Sequence, residues 1–180
     1  SNDSDKLKMT SKFALSLNDW LLQLLTYLIF YPLIKLISIQ PFCIVYRISD
    51  FVNFLLYKVF KYRLNTVRRN LKLVFPNKTN NDLIEIEKRF YKHFSDITIE
   101  SIKAYGMSEN QMKKRYTYEN IEVLRKIQKE KKNIILLCGH YSNFEWLLSI
   151  GYKTKGNGYG IYTPMTNKYF DRLFKKIRKK

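Results

Sequence analysis

Apolar residues run almost without a break from position 20 to 39, interrupted mainly by Gln23, Pro32 and Lys35. At ~1.5 Å of rise per residue, such a helix reaches across the hydrocarbon core of a bilayer. The stretch is too long for the apolar part of a cleavable signal peptide, and no small-residue cleavage site follows it. A second apolar helical segment continues to about residue 60, divided from the first at Gln40-Pro41, where proline removes a helical N–H and ends the ladder. The pattern therefore predicts a membrane anchor over 13–61. Two other readings stay open, a buried helical hairpin in a soluble core and a helix lying in the membrane interface. Residues 1–12 are polar and expected to be disordered.

Past residue 61 the periodicity becomes amphipathic. Leu64, Val67, Leu71 and Val74 line one face of a basic helix over 63–75, ended by Pro76-Asn77. A long helix is expected over 82–105, with Leu83, Ile86, Phe90, Phe94 and Ile97 as its buried stripe, Asn81 as cap and Gly106 as stop. The character then changes. Residues 116–118 read as a short strand, 120–130 as a helix and 133–138 as a buried strand. A helix follows over 143–150, a turn at Gly156-Asn157-Gly158, a strand over 159–162 and a helix from 167 to 180. Alternating strands and helices predict an α/β fold: a mostly parallel sheet with flanking helices, preceded by the N-terminal apolar helical membrane segment. The division expected is a polar terminus (1–12), an anchor (13–61) and a catalytic domain (62–180).

In such sheets, sites form at the carboxyl ends of strands. One expected strand end carries Gly139-His140-Tyr141-Ser142-Asn143-Phe144-Glu145-Trp146. Five residues along a helix is about 500° of rotation, so His140 and Glu145 meet only if His140 sits on the turn and Glu145 in the first helical turn. Gly139 would free the turn, and Ser142 or Asn143 would cap the helix. Glu145 could then hold one imidazole tautomer while His140 accepts a proton. The same residues also match a capping box, with Glu145 only returning to the helix start. Cys138 is expected in the core of the strand, and His93 as an ordinary helix residue.

This segment resembles the H-x4-D/E motif of the glycerolipid and lysophospholipid acyltransferase superfamily. It is closest to the branch that adds secondary acyl chains in bacterial lipid A biosynthesis, the lauroyl and myristoyl transferases. Tyr62-Arg63, Asn70-Leu71, Phe75-Pro76, Glu100-Ser101-Ile102-Lys103, Ile161-Tyr162-Thr163-Pro164 and Asn167 to Asp171 are similar to family segments in the same order. Thr163 stands where members commonly carry a basic residue. Members also continue beyond the position of Lys180, so an N-terminal fragment is expected.

The resemblance implies transfer of a fatty acyl chain from a thioester to a hydroxyl of a membrane glycolipid such as a lipid A precursor, without a cofactor or metal. His140 would be the base and Glu145 its partner. Backbone N–H groups at the start of the Asn143 helix and the Asn143 amide are the candidate oxyanion donors, and Asn167 and Arg178 would help hold a phosphate or the donor. The donor would be acyl carrier protein or acyl-coenzyme A, and the site would face the cytoplasm at the inner membrane.

Charge agrees with anionic partners. Lys and Arg number 33 against 15 Asp and Glu, a formal net charge of +18, which favours acidic proteins, nucleic acid or an acidic membrane surface. Phe170, Leu173, Phe174 and Ile177 oppose Lys168, Arg172, Lys175, Lys176 and Lys179, a pattern suited to an anionic lipid or protein surface. A nucleic-acid-binding protein is the rival from another class, but the apolar 20–39 segment and the lack of a reader motif oppose it. An inactive membrane scaffold is the other alternative. Two isolated cysteines, Cys43 and Cys138, make neither a disulfide framework nor a zinc site.

Overall fold

The computed structural model describes residues 2–139, 141–154 and 158–178. Among them are α1 (Asn2–Ile39), α2 (Phe42–Phe54), α3 (Leu64–Val74), α4 (Asn80–Lys103), α5 (Glu109–Arg115), α6 (Ile121–Lys129) and α7 (Lys168–Arg178). A π-helical turn, Leu55–Val59, extends α2, and short 3₁₀ helices occupy Ala104–Gly106 and Phe144–Tyr152. Residues 2–12, expected to be disordered, continue the backbone of α1.

The expected α/β fold is not what forms. The chain is 72% helical, and the described residues contain no strand or sheet. Residues 116–118, 133–138 and 159–162 are neither helix nor ladder. Ile135 and Leu137 are 87% and 90% exposed, Tyr159 and Ile161 are fully open, and Cys138 is exposed rather than buried. The physical reason is that an apolar run becomes a strand only when a neighbouring backbone completes its hydrogen bonds. No described segment does so here.

Two compact units make up the chain, residues 37–155 and residues 1–36 with 156–180. In the first, α2 and α3 pack against α4. α4 is capped two residues earlier than expected, at Thr79 rather than Asn81. The Thr79 hydroxyl accepts from the Asp82 N–H while the Asp82 carboxylate takes the Thr79 N–H, a reciprocal cap. Its buried face is also displaced from the apolar stripe. Glu87, Tyr91, Ser95, Ile99 and Lys103 are buried at four-residue spacing, while Phe90 and Phe94 are more than a third exposed. A one-residue displacement is about 100° of rotation. Partners explain it: the neighbouring elements carry hydrogen-bonding groups for Glu87 and Lys103, and Phe90 and Phe94 stack on each other at the surface.

Polar bonds join α2 to α4. Ser49 Oγ donates to Asp96 Oδ1 at 2.5 Å, and Lys92 Nζ bridges Asp50 and Asp96 at 2.6 and 2.9 Å. Past α4, Gly106 lies against the end of α1; a Cβ there would overlap the Ser38 carbonyl.

The second unit is built on the first part of α1 and on α7. Asn167 opens α7: its Oδ1 accepts from the N–H groups of Tyr169 and Phe170, and its Nδ2 donates to the Gln23 carbonyl. Tyr27 stacks on Tyr169 at 5.4 Å and meets Phe170 edge-on at 5.6 Å. Asp171 accepts from the Met165 N–H and from Lys175, which holds its carboxyl below the usual range.

Candidate active site

His140, together with the 156–157 part of the expected turn, lies outside the described residues. The residues around His140 are in place. Ser142 adopts a left-handed backbone, φ 55°, so the reversal expected of Gly139 is made by a serine instead. Such a conformation costs energy for a residue with a Cβ and is found where a segment is held by its surroundings. The chain then enters the Phe144–Tyr152 helix, with Glu145 half-buried in its first turn.

What holds this segment is Glu100, near the end of α4. Its Oε2 accepts from Asn143 Nδ2 at 3.0 Å, and its main-chain carbonyl accepts from Trp146 Nε1 at 3.2 Å. Its Oε1 accepts from the Tyr46 hydroxyl of α2 at 2.8 Å. One glutamate thereby ties two helices to both ends of the Asn143–Trp146 turn. Burial first, then the bond to Glu100, pushes the Tyr46 hydroxyl up to about 12. Asn143 is 4% exposed, and its side chain makes no cap to the helix it precedes. Among the described residues its Oδ1 has no hydrogen-bond partner.

Further along, the Tyr118 hydroxyl lies 2.9 Å from the Leu147 carbonyl and 2.8 Å from Ser149 Oγ. Burial raises its pKa to about 12. Trp146, buried, meets Phe42 edge-on at 6.4 Å. Two cations share that ring: the Arg115 guanidinium, 3.4 Å from its centroid, and Lys103 Nζ, at 5.5 Å. Lys103 is buried and donates to the Ser38 carbonyl at 2.6 Å. Burial, and then the Arg115 charge, lower its pKa.

Glu145 and Asn143 thus belong to the 37–155 unit. Asn167 and Arg178 belong to the other, where Asn167 is occupied as the α7 cap and Arg178 lies over the Tyr162 and Phe174 rings at 5.5 and 5.9 Å. Tyr46, Tyr118 and Trp146 were not selected from sequence. Glu100 was noticed only as part of a similar segment. Its partners sit 43 and 54 residues away, beyond the reach of any local pattern. Apart from this cluster, a shallow cleft of about 620 Å³ beside α2 and α4 is lined by Lys58, Lys88, Arg89, Lys92 and His93 together with Asp96.

A helical chain that ties the Asn143–Trp146 turn to a part-buried glutamate, and that carries an apolar N-terminal helix, is compatible with an acyltransferase associated with a membrane. The description "Bacterial lipid A biosynthesis acyltransferase" matches residues 15–180, and the chain belongs to that family. The chain is also similar to a lipid A biosynthesis lauroyltransferase of Escherichia coli (strain K12), with 26% identity over 136 residues. That match covers 74% of this chain and 43% of the relative, so the chain spans less than half the relative's length. No solved structure matches it significantly.

Proposed function

We propose that this chain carries the catalytic part of an enzyme that transfers a fatty acyl group from a thioester donor to a hydroxyl of a membrane glycolipid, such as a lipid A precursor. The family match over 15–180, which includes the His140–Glu145 segment, carries the reading. The Glu100 anchor supports it, because it holds that segment's turn in a costly geometry.

In this mechanism neutral His140 takes the proton of the acceptor hydroxyl as the oxygen attacks the thioester carbonyl. Glu145 orients the ring and offsets its developing charge. With an ordinary pKa of about 6.5, a histidine is largely neutral at cytoplasmic pH. The Phe144 and Trp146 N–H groups are taken by the Ser142 and Asn143 carbonyls; the Glu145 N–H is the backbone donor proposed for the tetrahedral oxyanion. The attack forms the ester C–O bond; collapse of the tetrahedral intermediate restores the carbonyl, breaks the C–S bond and returns the proton from His140 to the leaving thiolate. No acyl-enzyme forms.

The donor is acyl carrier protein or acyl-coenzyme A. Both are anionic, and a charge of +18 with the Lys58–Arg89 cleft speeds encounter with either. Asn18–Ile39 is long and apolar enough to cross a membrane and leaves Leu22, Leu25, Ile29 and Leu33 exposed for lipid. Arg47, Lys58 and Lys61 follow that span in sequence, and such basic residues favour the cytoplasmic side of the inner membrane for the catalytic part.

The test is transfer by the full-length protein from an acyl thioester to the glycolipid. His140→Ala and Glu145→Ala are each expected to abolish it while membrane association is kept. Parental turnover in both variants would falsify the dyad.

A further inference from the structure

A buried amide with one end bound and the other empty is costly, and Asn143 is in that state. A carboxylate oxygen accepts and does not donate, so the Asn143 atom facing Glu100 Oε2 at 3.0 Å is the NH2 nitrogen. Glu100 cannot turn to relieve this, because its other oxygen is taken by the Tyr46 hydroxyl. Asn143 Oδ1 is therefore directed away from Glu100. It is buried, has no hydrogen-bond partner among the described residues, and does not cap the helix it precedes, the role an asparagine there ordinarily fills. The oxyanion role read for Asn143 asks for its NH2, the group that the structure turns to Glu100.

We propose that Glu100 is a positioning residue that fixes the Asn143 amide so that its carbonyl oxygen accepts a hydrogen bond from a neutral N–H or O–H of the bound substrate. The inference rests on the acyltransferase reading. Two sources carry such a group, the thioester donor's arm and the glycolipid acceptor, and measuring KM for each separately distinguishes them.

Glu100→Gln, Asn143→Asp and the double variant test it in the full-length protein. In Glu100→Gln, Tyr46 keeps the glutamine carbonyl, and the glutamine NH2 then faces Asn143. Two NH2 groups repel, the asparagine flips, and a donor replaces the acceptor. The expected loss in kcat/KM is ~10- to 100-fold, the scale of one or two lost hydrogen bonds, and is read mainly in KM for one substrate. Asn143→Asp sets two carboxylates together and should lose at least as much. In the double variant the glutamine NH2 donates to one aspartate oxygen and the other again accepts, so activity should return to within ~10-fold of the parent.

Parental activity in Glu100→Gln, or a double variant no better than the worse single one, overturns the proposal. If Asn143→Asp does not accumulate, Glu100→Gln against the double variant decides alone. Binding of a non-reactive thioether analogue of the donor, and of the acceptor, reads the same effect without turnover. A parent that binds both yet transfers nothing counts against the acyltransferase reading alone. Equal binding by parent and Glu100→Gln counts against the amide.

Discussion

Arg68 reaches from α3 to grip Glu87 of α4 through two N–H bonds, 2.8 Å from Nε and 3.2 Å from Nη2, with the carboxylate 2% exposed and the guanidinium half in solvent. The Tyr57 hydroxyl completes the set at 2.9 Å. Arg68→Ala leaves a buried carboxylate with one partner and should lower stability by about 1–3 kcal/mol in detergent-solubilised denaturation. The pH dependence supplies a second reading. Burial alone would raise the Glu87 pKa, but the bonds from Arg68 and Tyr57 and the Arg68 charge outweigh it and hold the pKa below the ordinary value. The pair's contribution is thus present above the unfolded value of about 4.3 and lost as pH falls through the lower folded value. Without Arg68, acid unfolding should begin at higher pH; an unchanged acid midpoint would count against the pairing.

Tyr46 should behave in the opposite sense. Its folded pKa is raised to about 12, so the stability it contributes is complete below about 10 and lost as pH climbs toward the folded value. Spectrophotometric titration of the folded protein should show Tyr46 and Tyr118 titrating last, near 12, with Tyr57 and Tyr91 also above the ordinary value. Tyr46→Phe should remove one of the last two and cost about 0.5–1.5 kcal/mol. A late fraction of the same size in the variant would rule out the Tyr46–Glu100 bond.

Lys103 is a buried cation held by the Ser38 carbonyl and the Phe42 ring. Its pKa is lowered, so the unfolded chain binds the proton more readily and this residue favours folding more as pH rises from the depressed folded value toward about 10.4. Replacing such a charge by an apolar group of similar size is often neutral or stabilising, so Lys103→Met should lie within about 1 kcal/mol of the parent at pH 7. The stability difference should then shift toward the parent at alkaline pH. A difference that does not vary with pH would refute the assignment.

Gly106 is set by space. A methyl group there meets the Ser38 carbonyl, a backbone group that cannot rotate aside. Gly106→Ala should cost about 1–3 kcal/mol, as over-packed sites do, and lower the melting temperature measurably. A methyl group at Gly139 would meet no atom of the described residues within 4 Å, so Gly139→Ala should leave the melting temperature unchanged.

The candidate site was partly legible. The turn ahead of Asn143 and the Glu145 position could be read from spacing, since both are local. Glu100 could not be given a role, because its meaning lies in Tyr46, Asn143 and Trp146, which no periodicity connects to it. The buried face of α4 was missed for a related reason. Hydrophobicity favoured Phe90 and Phe94, whereas the packed neighbours offered partners for Glu87 and Lys103.

From sequence alone came the helix of 18–39, the break at Pro41, the helices at 64–74, 80–103, 121–129 and 168–178 to within a few residues, and the order of family-like segments. A helix closes its hydrogen bonds four residues away, so the local chain contains the information it needs. Tertiary structure decided that 133–138 and 159–162 stay without a ladder, that α4 buries a polar stripe, and which way the Asn143 amide points. Strand pairing and buried polar matching depend on groups brought from far along the chain, and only the folded arrangement determines whether those groups arrive.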